Sequence, residues 1–458
     1  MARNKKKIIR VTTVPMSLKA FCDGMLKELS EKYEVVAVSS PGEDLDLVAE
    51  REGVRTIAVP MERHISLWKD VKSLWLMTKV FRKEKPDIVH SMTPKAGLVT
   101  MVAGWLTGVP VRVHTFTGLV WPTSTGLKRR ILMLTDKILC TCATHVIPEG
   151  QGVMDDLRSG GITNKPMKVL GYGNVKGVDM EYFDPVRIVS ELNTNDRKLT
   201  TNLSVNSSEL GTNTNFTNDT NCSINAPSSV ELNTNDTNLT NKENKINGKF
   251  VAIHGNLCSK EKKDSVDSCD SCSKDRPFTF IFVGRIVGDK GVNELVEAFT
   301  QLHEKYENTK LVLVGPYEEH LDPVSELTQN RIKTNPAIDA VGKKFGDDLL
   351  FEYLKADCHV LPSYREGFPN TPMEAGALGL PNIVTDINGA REIVVNEENG
   401  LVVPSKDAKA LHNAMERMLT DSAMREKMKQ NARPMIESRF EKSFVRKCLY
   451  DFYDEILK

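Results

Sequence analysis

The sequence has no excess of charge of either sign: 61 Lys and Arg stand against 61 Asp and Glu. That balance argues against a polybasic nucleic-acid binder, and no nucleic-acid partner is expected. Long apolar runs are also missing. The longest candidate, 96–110, holds three glycines and ends at Pro110, so no bilayer-spanning helix is predicted. The start is basic like a signal peptide, but Ile8 to Val14 is too short and too Thr-interrupted for an export segment. The nine cysteines are odd in number and scattered, which speaks for a reducing compartment rather than a disulfide scaffold. A cytoplasmic location is the expectation.

Apolar side chains are few, at 40% of residues, and one segment explains much of the deficit. Residues 191–250 carry 15 Asn and 10 Thr, a composition that cannot bury enough surface to offset its ordering entropy. Glu-Leu-Asn-Thr-Asn-Asp occurs at 191–196 and again at 231–236, as a duplication would leave it. An insert over 193–275 is therefore expected to be disordered. Its Asn-x-Ser/Thr sequons are what an Asn/Thr-rich composition produces, and without an export segment glycosylation is not expected. His254, Cys258, Cys269 and Cys272 lie in polar, charged surroundings with only one regular Cys-x-x-Cys spacing, so no metal site is expected there.

What remains alternates β-rich runs with longer helical stretches. Ile8–Val14, Glu34–Ser39, Arg55–Pro60, Asp87–His90, Val111–Thr115 and Thr144–Ile147 read as strands, nearly continuous in apolar character as parallel strands covered on both faces are. Leu67, Trp68, Val71, Leu74, Trp75 and Phe81 recur at helical spacing, and Thr93-Pro94 opens a helix through Leu106. The pattern restarts at 276 with Phe278–Val283, Lys310–Gly315, Ile338–Val341, Asp357–Leu361 and Asn382–Thr385. A last helix over about Glu437–Lys458 carries an apolar stripe at steps of four. The expectation is α/β: two Rossmann-like doubly wound domains facing a cleft. The first spans 1–175 and is completed by helix 437–458, a linker spans 176–192, and the second domain spans 276–436.

The chemistry gathers in the second domain. Gly284-Arg285 follows its first strand and Lys290-Gly291 comes five residues later, two cations able to reach one diphosphate. Glu366-Gly367-Phe368-Pro369-Asn370-Thr371-Pro372-Met373-Glu374 follows strand Asp357–Leu361. Asn370 or Thr371 reads as an N-cap and Pro372 as the first helical residue, which makes a helix N-terminus able to hold an anion. A carboxylate beside a diphosphate would repel it, so Glu366 and Glu374 are read as acceptors of hydrogen bonds from sugar hydroxyls.

Gly-Arg-x4-Lys-Gly followed by Glu-x7-Glu, in this order, resembles the family-4 glycosyltransferases of the GT-B fold, and the resemblance covers everything except the insert. It implies a retaining transfer of a sugar from a nucleotide diphosphate, with Arg285 and Lys290 on the diphosphate, Glu366 on the transferred sugar and Glu374 on the ribose. It further implies backbone contacts to the base around Val341, and donor contacts from Gly284, Gly367, Phe368, Asn370 and Thr371. His114, in Val-Arg-Val-His-Thr-Phe-Thr-Gly, resembles the family's strand-end histidine near the transferred sugar. His-Ser-Met-Thr-Pro-Lys-Ala-Gly at 90–97 is similar to bacterial members that extend lipid-linked saccharides for capsule or surface polysaccharides. Where the family's first loop often has a Gly-Gly pair, this chain has Thr12-Thr13-Val14-Pro15.

Cations and a helix terminus can serve in place of Mg2+, so no metal and no cofactor are expected. Asp44-Leu-Asp46 is read as a solvated loop. The expected partners are a nucleotide-sugar donor, UDP-linked by resemblance, and a lipid-linked saccharide acceptor. Helix 126–139 combines Leu127, Ile131, Leu134 and Ile138 with Lys128, Arg129 and Arg130. With Lys95 it marks an acceptor side in peripheral contact with the cytoplasmic face of the membrane. A UDP-sugar epimerase of the same fold and a non-catalytic sugar-nucleotide-binding subunit are the rival readings.

Overall fold

A computed structural model describes residues 5–62, 66–188, 276–318 and 322–457. The insert 193–275, with its repeat, sequons and cysteines, lies outside the described residues, as does the linker beyond residue 188.

Six parallel strands form the first sheet: β1 (Lys7–Val11), β2 (Glu34–Ser39), β3 (Arg55–Ala58), β4 (Ile88–Ser91), β5 (Val111–Phe116) and β6 (His145–Pro148). Their order is β3-β2-β1-β4-β5-β6. Ile9 pairs with Val36 on one side and Val89 on the other. Successive strand residues point to opposite faces. Ile9 accordingly joins a core with Met77, Phe81, Val99 and Leu139, and Ile8 joins one with Leu18, Leu26, Phe452 and Tyr453. That second face is closed by the end of the chain.

The second sheet repeats the plan with β7 (Phe278–Val283), β8 (Thr309–Val314), β9 (Ile338–Gly342), β10 (Cys358–Leu361), β11 (Asn382–Thr385) and β12 (Gly400–Val403), ordered β12-β11-β10-β7-β8-β9. Both sheets are doubly wound with flanking helices, as expected. β12 has no counterpart in the sequence reading: four residues at a sheet edge give too short an apolar run to stand out. The strand order reverses between β1 and β4 and again between β7 and β10, and such switch points open crevices at the strands' carboxyl ends.

The last helix is not continuous. Helix Ser422–Phe440 ends at Glu441, whose side chain accepts a hydrogen bond from the Phe444 amide at 3.0 Å and starts a new helix, Lys442–Ile456. The first of these packs Ile436 over Gly376 of the second domain, and the second supplies Phe452 and Tyr453 to the first. At the break, the Lys442 amide donates to the Val178 carbonyl and the Val178 amide to the Phe440 carbonyl, at 2.9 and 2.8 Å. The two crossings between domains therefore pair with each other. Gly177, at φ +71°, is needed there because a Cβ would lie 2.6 Å from Lys442 Cα.

Candidate functional site

The turn after β7 and the loop after β10 meet at the switch point of the second sheet. Lys290 Nζ lies 2.5 Å from Glu366 Oε1, and the Ser363 hydroxyl donates to the same oxygen at 2.8 Å. Both charged side chains are largely withdrawn from solvent, at 16% and 17% exposure. The turn is held by the Tyr364 amide on the Asp289 carbonyl at 2.9 Å. It also needs Gly291 at φ +68°, where a Cβ would come within 2.0 Å of the Pro362 carbonyl oxygen. Arg285 pairs with Glu318 at 2.7 Å, and that bond first, with smaller contributions from the Asp289 and Glu366 charges, keeps its guanidinium protonated. Gly284 and Gly315, after β7 and β8, touch so closely that a Cβ on Gly315 would overlap the Gly284 carbonyl. Val341 sits at the end of β9, two strands from β7.

The helix after Glu366 runs Asn370–Ala377, preceded by Pro369 in extended conformation. It starts before the position expected: Asn370 and Thr371 are its first two residues rather than its cap, and Pro372 is its third. No side chain caps the amides at this end. Glu374 consequently falls in the second turn, not the first, which weakens simple dipole compensation as its explanation. Phe368 is not a ligand-facing ring. It is buried against Phe440 at 5.5 Å between ring centres, so only its backbone is available to a donor.

The first domain reaches this loop through glycine. A Cβ on Gly367 would lie 2.3 Å from the Thr117 carbonyl oxygen, and one on Gly118, at φ +110°, would lie 2.9 Å from Gly367 Cα. Thr117 and Gly118 leave the end of β5, so the residue that follows this strand into the cleft is Thr117. His114 is not. It lies inside β5, buried, with Nδ1 2.8 Å from the Ser91 hydroxyl and its ring edge-on to Phe116. Its neighbour Gly97 is so close that a Cβ would meet the imidazole. Burial pushes its pKa down to about 3, leaving a neutral core imidazole. With its ring enclosed in the core, His114 has no surface to offer a sugar, and the catalytic role expected from the sequence does not fit its place in the structure.

Beside Gly118 opens a cavity of about 810 Å³ under the helices Pro94–Leu106 and Gly126–Cys142, within the roughly 300–1,000 Å³ usual for small-molecule sites. Thr13, Thr93, Phe116 and Leu132 line it together with Lys95 and Lys128. Lys95 is held by both carboxylate oxygens of Asp70 at 2.6 Å. The glycine-free first loop has its own anchor here: Thr13 and Thr93 hydroxyls lie 2.7 Å apart, and the Ala96 amide donates to Thr13 at 3.2 Å. Thr93 thus ties two loops together instead of capping its own helix. Asp136, also on the wall, has its carboxyl pushed up to about 7 by burial, opposite the buried indole of Trp121. Asp70, Asp136 and Ser363 were not legible as site residues, since lone acids and a serine at these spacings match no motif. Arg129 lies over the Trp121 ring at 5.6 Å and Arg130 is exposed. Asp44, read as part of a loop, instead opens the helix Glu43–Glu52 and pairs with Lys19 at 2.9 Å. Among the described residues no group of three or more His, Cys, Asp or Glu side chains is arranged to hold a metal ion.

Two family models match separate parts of the chain. Residues 20–173 match the glycosyl transferase 4-like domain and residues 270–435 match glycosyl transferases group 1. The chain is 29% identical over 455 residues to the capsular polysaccharide biosynthesis glycosyltransferase CapM of Staphylococcus aureus, covering 99% of this chain and 98% of that one. It is 26% identical to the UDP-Gal:alpha-D-GlcNAc-diphosphoundecaprenol alpha-1,3-galactosyltransferase of Escherichia coli, covering 95% and 94%. Among solved structures it shares its fold with sucrose-phosphate synthase from Thermosynechococcus elongatus, at TM-score 0.67, 18% identity and 99% coverage of both chains. Anabaena HepE, solved with UDP, gives a TM-score of 0.66 at 15% identity, covering 98% of this chain and all of that one.

Proposed function

The chain belongs to the glycosyltransferases of the GT-B fold, and from that premise we propose that it transfers a sugar, with retention, from a UDP-sugar to a lipid-diphosphate-linked saccharide in surface polysaccharide assembly. The observation that carries the reading is the Lys290–Glu366 pair at the carboxyl ends of β7 and β10, set against the loop that leaves β5. A diphosphate takes Lys290 and Arg285, the unpaired amides of helix Asn370–Ala377 add partial positive charge, and Glu366 is released to accept from a sugar hydroxyl. Glu374 is assigned to the ribose. Gly284, Gly367, Asn370, Thr371 and Val341 offer backbone or short polar groups around the donor.

In the transfer, an acceptor hydroxyl oxygen bonds to the anomeric carbon on the face the leaving group vacates. The bond from that carbon to the phosphate oxygen breaks, and its electron pair departs with the nucleoside diphosphate. A phosphate oxygen takes the acceptor's proton. Preorganised cations facing the leaving group lower the barrier without metal chemistry being required of the protein. The E. coli relative's name supports both the uridine donor and the lipid-linked acceptor. In this reading the first domain serves the acceptor, with Lys95 and Lys128 in the cavity beside Gly118. Helix Gly126–Cys142, with Arg129 and Arg130, makes a peripheral contact with the inner membrane face.

The test is a screen of nucleotide sugars with lipid-linked saccharides. Release of nucleoside diphosphate that depends on the acceptor, together with a lengthened lipid-linked glycan, is the expected result. Formation of an epimeric sugar without a lengthened glycan would replace the transferase reading with the epimerase one.

A further inference from the structure

The helix Leu67–Glu84 has the spacing of a core helix, but the structure turns its tryptophans outward. Met77 and Phe81 are buried, whereas Trp68 is 88% exposed, Val71 61% and Trp75 55%. Positions 68, 71 and 75 fall on one helical face. Asp70, on the adjoining face, lines the 810 Å³ cavity. On the other side of that cavity, helix Gly126–Cys142 sends Lys128, Leu132, Thr135 and Asp136 to the wall and leaves Leu127, Ile131, Leu134 and Ile138 exposed. Helix Pro94–Leu106 lies between the two and packs on both. The cavity therefore runs between two helices that each present an apolar face to solvent.

Single exposed apolar residues need no explanation, but two such faces flanking one cavity do. Charge identifies the occupant. Helix Leu67–Glu84 carries five Lys and Arg against two acids, and Gly126–Cys142 carries four against one. Lys79 lies over the Trp75 ring at 3.4 Å, which places a cation beside an outward indole. Outward indoles with neighbouring cations suit the headgroup level of an anionic bilayer, where the ring is half buried and the ammonium meets phosphate.

We propose that Trp68, Val71 and Trp75 insert into the headgroup region of an anionic phospholipid bilayer, forming with Leu127, Ile131, Leu134 and Ile138 a two-sided rim that opens the cavity directly onto the membrane. The proposal rests on the reading that the acceptor is lipid-linked, because only such an acceptor requires its cavity to open there. It adds a second helix to the membrane contact and assigns a role to residues that the transfer chemistry does not use.

The test uses the full chain and needs neither donor nor acceptor. A W105F/W121F variant keeps Trp68 and Trp75 as the sole tryptophans, excited selectively over tyrosine, and is mixed with phosphatidylcholine vesicles, with and without phosphatidylglycerol. Phosphatidylglycerol should bring a blue shift and quenching by lipids brominated near the headgroup. A W68S/V71S/W75S variant should lose vesicle flotation by about tenfold while keeping its melting temperature and its affinity for UDP. Flotation of that variant equal to the parent's would overturn the rim, as would vesicle-bound protein whose Trp68 and Trp75 stay unquenched. So would failure of the parent to bind anionic vesicles, including the case where these residues instead support self-association in sedimentation. If vesicle binding follows the expected course while no nucleotide sugar is turned over, the rim stands and the transferase reading fails separately.

Discussion

Lys290 and Glu366 neutralise each other across the switch point, 2.5 Å apart on loops that follow different strands. A cation and an acid 76 positions apart in sequence thus share one ion pair. In the proposed reading Lys290 serves the diphosphate and Glu366 a sugar hydroxyl, so the two partners of this pair have separate roles to test.

Removing either cation should therefore cost transition-state stabilisation. Lys290→Ala and Arg285→Ala are each expected to lose about 2–4 kcal/mol in kcat/KM, the size found for a preorganised charge donor, or roughly 30- to 1,000-fold. Steady-state kinetics with the donor found in the screen checks this, and the same assay with EDTA should show activity retained. Loss below about threefold for both variants would remove these residues from the chemistry.

The approach of Gly367 to Thr117 gives a second expectation. A methyl group 2.3 Å from the Thr117 carbonyl oxygen requires the two loops to separate, although backbone conformation at 367 needs no glycine. Gly367→Ala should lower kcat by about tenfold or more, because misplacement by about 1 Å between donor and acceptor elements is costly. The affinity for UDP alone, measured by calorimetry, should change far less.

Much of this site could be read in the residues before any coordinates. The motifs that carry the family resemblance, Gly284-Arg285 with Lys290 and Glu366 with Glu374, fall just after β7 and β10, where the strand runs end. Short runs rich in apolar and β-branched residues marked eleven of the twelve strands among the described residues. What escaped was whatever depends on tertiary context. His114 has the sequence surroundings of a strand end, yet β5 continues two residues further and turns its ring into the core. Trp68 and Trp75 have core spacing, but which face of a helix meets the sheet is decided by packing. The break at Glu441 left no Gly or Pro to mark it, only a side chain that caps its own downstream helix.

Stability should fall with rising pH through Glu149. This carboxyl is buried at the end of β6, and burial, with the nearby Glu392 charge, pushes its pKa up to about 8 from the model-compound 4.5. The native state then holds a proton that the unfolded chain has released, so stability declines between the two values as pH rises. Glu149→Gln should remove this contribution. Its melting temperature should be nearly that of the parent at pH 5 and exceed it increasingly towards pH 9. Parallel pH profiles for the two proteins would show that Glu149 is not the titrating group.

Glu392 connects that titration to the contact between domains. Its carboxylate accepts from the backbone amides of Gln151 and Gly152 at 2.6 and 3.0 Å, so an acid of the second domain caps helix Gln151–Ser159 of the first. Asn388 reinforces the contact, its amide donating to Asp156 at 2.6 Å. A carboxylate at a helix N-terminus satisfies orphan amides and opposes the dipole, and losing such a cap costs about 0.5–2 kcal/mol. Glu392→Gln keeps an acceptor but removes the charge, whereas Glu392→Ala removes both. Both changes should lower the pKa of Glu149 by withdrawing the neighbouring negative charge, so the pH-dependent loss of stability ends at lower pH and is smaller in total. Glu392→Ala, which removes both accepted bonds, should weaken the clasp at every pH by more than Glu392→Gln, which loses one of the two. Thermal melts of both variants from pH 5 to 9 distinguish the two effects: a shallower decline with pH common to both, with the alanine variant lying uniformly below the glutamine one. Identical curves for the two would mean that the capping bonds contribute nothing to holding the domains together.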